Sequence, residues 1–423
     1  MLYLKSLLIS LLLFTFVACG GGGGGGGSDS GNNLNNDIYP YVKDTGVLGD
    51  TLISCLDTRP NNFQSCEFSD LPLIGMETPV PSVENIMKRV AVTHDWMGER
   101  FEELLKTWPS EVRLLFRGTT GIVIARNIRP SFFRSDSGAI YLDPQLFWLT
   151  NQEKDTIAKN DDPRDGNDSV LNFKLRTYLV NGPAGGIAYY SPGLNGDEER
   201  IFTDIEVLAT AIIVHELAHA NDYFSQSRIG SFLLSDTADE ASIPTITADL
   251  YASSALSNQE LISLGDVLYS GKTASVDERN ISPTEYGVLF ETEGAVMPYS
   301  YSTEREDTAT LFEASMLKHL YDVDIAVASM SVPYSFNNIV PYGHFNRLGA
   351  NVVRPRAELV TKKILPELDW DSFFLGLDAE ESMNTMKSLN VNVNGEPVDA
   401  YRTHPLGENF VSPDTTYDYR YKD

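Results

Sequence analysis

The stretch from Asp204 to about Ser225 constrains the fold most, because it is predicted to form one long helix that carries two histidines. Its apolar residues recur at helical spacing and form one broad face; they are Ile205, Leu208, Ala209, Ile212, Ile213 and Leu217. His215 and His219 are four residues apart, so both imidazoles lie on one side of the helix and can reach one metal ion. The pattern predicts a core helix that supplies two metal ligands.

Glu216 follows the first of these histidines and points about 100° round the helix from it. It is therefore predicted to face a water bound to the metal, which would attack the substrate, rather than to bind the metal itself. In that place Glu216 would take a proton from the water and later pass it to the leaving amine. The chain has only six histidines, so a chance His-Glu-x-x-His spacing has odds of about one in a hundred or lower.

Residues 215–219 read HELAH and resemble the zinc-binding motif of the zincin metallopeptidases. The metzincin branch needs a glycine and a third histidine beyond this motif, but Asp222 and Ser225 occupy those positions. The resemblance implies a zinc endopeptidase of the glutamate-zincin type. It also implies one Zn²⁺ per chain, Glu216 as general base and a peptide or protein substrate.

A second segment supplies the candidate third ligand. Residues 299–313 read YSYSTEREDTATLFE and resemble a part of some glutamate-zincins, in which a Tyr-rich loop leads into a helix that begins Glu-Asp-Phe-Ala-Glu. The resemblance implies that Glu306 binds zinc. It also implies that the hydroxyl of Tyr301, or that of Tyr299, stabilises the oxyanion.

This second segment departs from the family pattern at two positions. Thr308 and Thr310 stand where Phe and a second Glu are usual. In the family the second Glu orients a zinc-binding histidine. Asp307 or Glu313 could take over that role here.

Asp239 and Glu240 are the alternative third ligands. Thermolysin-like enzymes place their glutamate ligand about twenty residues after the second histidine, and Asp239 lies at that distance from His219. Carboxylates at either candidate position are also typical of a solvated helix start, where they interact favourably with the helix dipole.

The first residues are typical of an export signal. Residues 1–18 combine Lys5, a short apolar run and a small residue before Cys19, and residues 16–19 (FVAC) resemble a bacterial lipobox. The resemblance implies a lipidated Cys19 that anchors the chain to the cell envelope, with Gly20 after it implying the outer membrane, on its periplasmic or its outer surface. Eight glycines follow, and residues 19–44 are predicted to form a flexible tether.

Two cysteines remain, Cys55 and Cys66, with ten residues between them. An exported chain lies where disulfides form and persist. The sequence therefore predicts a Cys55–Cys66 disulfide.

The charge balance is strongly acidic. Asp and Glu number 59 against 32 Lys and Arg, which gives a net charge of −27 and excludes nucleic acid as a partner. The stretch 161–168 (DDPRDGND) is rich in oxygen ligands and could bind Ca²⁺. It departs from the EF-hand pattern at its third and twelfth positions, Pro163 and Asn172, so a solvated surface loop is the favoured interpretation.

The fold is predicted to be α+β, with a sheet and the histidine-bearing helix in residues 82–226 and a mostly helical lobe in about 244–423, all within one domain, 45–423. Residues 45–80 are predicted to be irregular. Strands are predicted at 121–125 and 139–142, with a strand pair in 170–191. Helices are predicted at 82–107, 204–225, 244–256, 258–270, 306–321 and 356–366. Residues 138–142 are the candidate for a sheet edge that would hold substrate.

Two other functions fit the same residues. One is a non-catalytic binding lipoprotein on a degenerate zincin fold. The other is a zinc amidohydrolase that acts on a cell-wall component. The intact Glu216 argues against the first, because a protein that does no chemistry needs no general base.

Overall fold

The computed structural model describes residues 38–43, 47–57, 65–159, 170–182, 186–192, 194, 196–331 and 340–383. All of these residues belong to one unit of the chain, 33–423. Four sequence predictions fall outside the described residues: the signal peptide of residues 1–18, the lipidated Cys19, the glycine run 20–27 and the acidic stretch 161–168.

A five-stranded sheet with helices packed on it forms the first part of the described chain. Its elements are β1 (Tyr39–Pro40), α1 (Val47–Leu56), α2 (Ile74–Glu77), α3 (Val83–Met87), β2 (Val90–Val92), α4 (Asp95–Thr107), α5 (Ser110–Arg113), β3 (Ile122–Ile124), β4 (Phe132–Arg134), β5 (Ala139–Leu142) and α6 (Asn151–Lys154). The strand order is β1-β2-β3-β5-β4, with β2, β3 and β5 parallel and both edge strands antiparallel to their neighbours. The three parallel strands are buried along their whole length and rich in Val and Ile, as expected of strands covered on both faces.

A second sheet and a set of helices form the rest. The elements are β6 (Phe173–Val180), α7 (Phe202–Tyr223), α8 (Gln226–Ile229), α9 (Ala238–Ala241), α10 (Thr245–Ser254), α11 (Gln259–Tyr269), α12 (Val276–Asn280), α13 (Pro283–Glu291), α14 (Glu304–Tyr321), β7 (Asp324–Ser331), β8 (Tyr342–Phe345), α15 (Arg354–Ile364), α16 (Trp370–Leu375) and β9 (Glu381–Ser382). The second sheet is antiparallel, in the order β6-β7-β8-β9. Strand β6 precedes α7 in the chain, whereas β7, β8 and β9 follow α7. The second sheet therefore links the segment before α7 to the segment after it.

Helix α7 lies at the centre of the molecule. It contacts β4 and β5 of the first sheet and packs against α14 along much of its length. Residues 208–222 of α7 and residues 307–317 of α14 are all buried. Burying a polar side chain is costly unless it has a partner. The buried polar residues of these two helices are therefore candidates for a functional site.

The prediction of one helix over residues 82–107 is wrong. Ser82 begins α3 through a capping box with Asn85, but the chain then leaves the helix and forms β2 before α4 begins. Val90 and Val92 are β-branched and buried, and they pair in parallel with β3. The free energy gained by burying and pairing these residues in the centre of the sheet outweighs the helical preference that the spacing of the apolar residues indicates. Residues 45–80, predicted to be irregular, contain the ten-residue helix α1.

The predicted sheet edge is also wrong. Strand β5, predicted as the edge over residues 138–142, lies inside the sheet between β3 and β4. The outer strand is β4, which runs antiparallel to β5. Residues 170–191 form β6 and a single bridge from Val180 to Ile187 rather than a full strand pair, and β7 and β8 lie in a lobe that was predicted to be mostly helical.

Other predictions are confirmed. The α+β class with a helical C-terminal part holds, and the strands at 121–125 and 139–142 and the five predicted helices beyond residue 200 are present within a few residues of their predicted bounds. Cys55 and Cys66 form a disulfide with their Cα atoms 5.7 Å apart, which ties α1 to the segment that follows it. Across the described ranges, no helix combines the length and apolar character needed to span a membrane.

Candidate metal centre

Helix α7 places His215 and His219 side by side in the core. The helix is apolar enough to be buried along 15 residues, and the four-residue spacing puts the two rings on one face with their centroids 4.9 Å apart. His215 is 2% exposed and His219 is 8% exposed. Glu216, between them, is 5% exposed. The structure therefore gathers the three polar residues of the HELAH segment in the interior.

Helix α14 brings Glu306 to the two histidines. Its N-cap residue is Thr303, whose hydroxyl accepts a hydrogen bond from the Glu306 backbone N–H at 3.1 Å and so fixes the first helical turn. Oε2 of Glu306 lies 2.8 Å from Nε2 of His215 and 3.4 Å from Nε2 of His219. The Glu306 side chain is 22% exposed, so the group faces solvent on this side.

These three residues fit a zinc ion. One ligand atom from each of His215, His219 and Glu306 lies within 4.8 Å of the other two. Zinc bonds of about 2.0–2.1 Å in tetrahedral geometry place ligand atoms roughly 3.3 Å apart. The two distances from Glu306, 2.8 and 3.4 Å, lie close to that value, so the spacing of the group suits a zinc ion. Two histidines and one glutamate are also a donor set of catalytic zinc sites.

Burial alone would raise the pKa of Glu306. The charge and hydrogen bond of His219 and those of His215 outweigh burial and hold the pKa well below its usual range. Glu306 is therefore a carboxylate at neutral pH, which is the form that binds a cation.

Glu313 supports His215 from the other side of the ring. Its Oε2 lies 2.9 Å from Nδ1 of His215, and its side chain is fully buried. A metal-binding histidine usually donates its second N–H to a carboxylate, which fixes the ring orientation and the tautomer. Of the two residues that the sequence offered for this role, the structure brings Glu313 to the site.

Asp307, the other of those two residues, forms a buried ion pair instead. Its Oδ2 lies 2.5 Å from Nη2 of Arg356, which is on α15, and it also accepts a hydrogen bond from the hydroxyl of Tyr251 at 3.1 Å. Arg356 further donates to the carbonyl of Ser254 at the end of α10. Asp307 thus joins α14 to α10 and α15, although it is next to Glu306 in the sequence.

Thr308 and Thr310, which depart from the zincin pattern, connect α14 to neighbouring elements through their hydroxyl groups. The hydroxyl oxygen of Thr308 lies 2.9 Å from that of Thr247, a contact between α14 and α10. The hydroxyl of Thr310 lies 2.8 Å from that of Ser300, which holds the tyrosine-bearing turn of residues 298–301 against α14. Where the family has Phe and Glu, this chain therefore has two hydroxyls that make local hydrogen bonds.

Asp239 and Glu240, the alternative ligands, do not join the group. They are exposed on the short helix α9, where the Glu240 carboxylate accepts hydrogen bonds from the N–H and the hydroxyl of Thr237 in a capping box. Among the described residues, the one cluster of His, Cys, Asp and Glu that could hold a metal is His215, His219 and Glu306.

Tyr301, one of the two tyrosines considered for the oxyanion, packs in the core. It is 6% exposed, its ring centroid lies 6.2 Å from that of Phe290, and its hydroxyl has no hydrogen-bond partner among the described residues. Tyr299, the other tyrosine considered, has its ring centroid 6.3 Å from that of His215. Both belong to one 3₁₀ turn, in which residues two apart point about 120° away from each other, so the two rings face different directions.

Asp222 is a further buried polar residue of α7. Its carboxylate accepts hydrogen bonds from the backbone N–H groups of Ile246 and Thr247 at 2.7 and 2.9 Å, and from the Thr247 hydroxyl at 2.6 Å. Asp222 thereby caps the N-terminus of α10 and attaches it to α7. A charged residue at a core position of an apolar helix was the sequence signal for this bond.

The chain has no significant match among family models, curated proteins or solved structures. What the site does has therefore to be inferred from its residues and their contacts.

Proposed function

We propose that this protein is a zinc-dependent endopeptidase. The observation that carries the proposal is the donor set of His215, His219 and Glu306, whose ligand atoms lie within 4.8 Å of one another. Glu216 is on the same helix, next to the first ligand. Zinc enzymes that hydrolyse peptide bonds use two histidines and a glutamate as ligands. They also need a general base near the metal-bound water, the role proposed here for Glu216. The resemblance of residues 215–219 to the zincin motif supports the same assignment.

A zinc ion bound by these three residues would polarise the scissile carbonyl and lower the pKa of a nearby water to about 7. Glu216 accepts the proton of the attacking water and then gives it to the departing amine.

Two further side chains assist this reaction in the proposal. The Tyr299 hydroxyl donates a hydrogen bond to the carbonyl oxygen as negative charge develops on it; the nearness of its ring to His215 supports this role. Glu313 accepts the Nδ1–H of His215, which keeps the Nε2 lone pair directed at the metal.

A casein digest tests the function. The purified chain, supplied with Zn²⁺, is expected to cleave fluorescently labelled casein, to lose this activity with a chelator and to regain it with zinc. The Glu216→Gln variant should lose about 10²–10⁴-fold in kcat/KM and still bind zinc. Glu206→Gln, on the same helix but outside the site, is the matched control and should keep the parent's activity. Cleavage that survives the chelator or Glu216→Gln would overturn the proposal, and hydrolysis of cell-wall amides without casein cleavage would favour the amidohydrolase.

We also propose that Cys19 carries lipid that anchors the chain to the cell envelope. The lipobox-like residues 16–19 and the glycine run after them support this. Cys19→Ala should move the protein from the membrane fraction to the soluble fraction, whereas Ser28→Ala should leave it with the membrane. A Cys19→Ala chain that stays with the membrane would contradict the anchor.

A further inference from the structure

Two side chains, those of Tyr223 and Arg305, are near the candidate metal ligands in the sequence of the two helices. Tyr223 lies one turn beyond His219 on α7, so the two residues share a face of the helix. Arg305 directly precedes Glu306 on α14. The guanidinium carbon of Arg305 lies 6.0 Å from the centroid of the Tyr223 ring. The two helices that supply the metal ligands therefore also bring a cation and a phenol together beside them.

Tyr223 of this pair packs against an aromatic cluster formed by Phe133 and Phe224. The ring of Phe133, on the edge strand β4, lies 5.5 Å from that of Tyr223 and 6.5 Å from that of Phe224. Phe224 is fully buried, whereas Tyr223 and Arg305 are partly exposed. Tyr223 thus packs against a ring of the edge strand, and both Tyr223 and Arg305 are partly exposed.

Both groups are hydrogen-bond donors at neutral pH. Burial raises the pKa of Tyr223 above its usual value, against the opposing effect of Arg305, so the phenol keeps its proton. The planar guanidinium of Arg305 offers N–H groups in a fork that matches a carboxylate. On a chain with a net charge of −27, a cation held next to a candidate catalytic centre would favour an anionic group that the rest of the surface repels.

We propose that Arg305 and Tyr223 form a substrate subsite that selects a peptide side chain bearing a carboxylate. This inference rests on the proposed peptidase function, and it names the substrate class that the function leaves open. Arg305 pairs with the carboxylate and Tyr223 donates a further hydrogen bond to it. An uncharged amide of the same shape would lose the charge-assisted bond, which corresponds to a preference for Glu over Gln of roughly tenfold.

Peptide capture tests the subsite without catalysis. The Glu216→Gln chain, loaded with Zn²⁺ and immobilised, is mixed with a degenerate decapeptide pool, and the bound peptides are sequenced by mass spectrometry. The ratio of Glu to Gln in the bound pool should exceed that of the input about tenfold. Adding Arg305→Ala should return the ratio to that of the input. Arg305→Lys should keep part of the preference, because it retains the charge and loses the fork. Lys363→Ala, which removes an exposed cation on α15, should leave the ratio unchanged.

The outcomes separate this inference from the proposed function. A bound pool with the same Glu to Gln ratio as the input, or an enrichment that survives Arg305→Ala, would overturn the subsite. Enrichment that depends on Arg305, together with a parent chain that cleaves no casein in the presence of Zn²⁺, would support the subsite and contradict the endopeptidase.

Discussion

Nδ1 of His215 lies 2.9 Å from Oε2 of Glu313, and the two side chains are 2% and 0% exposed. The opposite nitrogen of the ring lies 2.8 Å from Glu306, seven residues earlier on the same helix. One imidazole is thus held between two carboxylates two turns apart on α14. If His215 binds a metal as proposed, Glu313 orients its ring, so removal of Glu313 should weaken metal binding.

Glu313→Gln should lower the affinity for Zn²⁺ by roughly 10–100-fold, as expected when the partner of a metal-binding histidine is lost. The measurement is competition with a fluorescent chelator. Glu304→Gln, on the exposed first turn of the same helix, is the control and should bind zinc as the parent does. Equal affinities in the parent and Glu313→Gln would refute the positioning role.

Removal of the hydroxyl group is expected to affect kcat at Tyr299 and not at Tyr301. Tyr299→Phe should lower kcat on casein by about 10²–10³-fold, the usual effect of removing one donor to the oxyanion. Tyr301→Phe should change kcat less than twofold, because the Tyr301 ring packs on Phe290 and its hydroxyl is buried. The reverse pattern would restore the role that the sequence resemblance gave to Tyr301.

The buried pair of Asp307 and Arg356 should matter for stability and not for zinc. Asp307→Asn leaves Arg356 buried without its counter-charge, which costs about 3–5 kcal/mol of unfolding free energy. Asp249→Asn breaks the exposed pair with Lys363 and should cost about 1 kcal/mol or less. Urea unfolding measures both, and equal losses in the two variants would contradict the assignment. Zinc content should stay at the parent level in each folded variant.

Glu278 should give stability that depends on pH. Burial alone would raise the pKa of Glu278, but hydrogen bonds from Ser263, Ser275 and Lys272 outweigh it and hold the pKa at about 2. The folded pKa is below the unfolded value, so the stabilisation is present above about pH 4.5 and is lost as pH falls towards 2. Glu278→Gln should therefore be less stable than the parent at pH 7, with a difference that shrinks between pH 5 and 2. A difference that does not change with pH would contradict this.

The residues of the candidate metal group could be recognised in the sequence because their signals are local. The four-residue spacing of His215 and His219 and the apolar period of α7 lie within one helix, and the Thr303 cap and the acidic first turn mark the start of α14 next to Glu306. The choice of Glu306 over Asp239 needed the structure, because it depends on how α14 packs against α7, which no local pattern encodes.

What the sequence could not predict depends on contacts between distant segments. Tyr299 and Tyr301 lie in different surroundings because the 3₁₀ turn is held against α14 through Ser300 and against α11, where Gly265 leaves room for the Tyr301 carbonyl. Strand β2 replaced a predicted helix because it gains parallel pairing with β3. Strand β7 was missed because its partner, β6, lies some 150 residues earlier in the chain.

Zinc content is the most direct test of the account. Elemental analysis of the purified chain after zinc supplementation and dialysis should find about one zinc per chain. Glu306→Ala should retain little of it, whereas Glu304→Ala, two residues away on the exposed side of α14, should match the parent. No zinc in the parent, or as much zinc in Glu306→Ala as in the parent, would contradict a metal centre built on His215, His219 and Glu306.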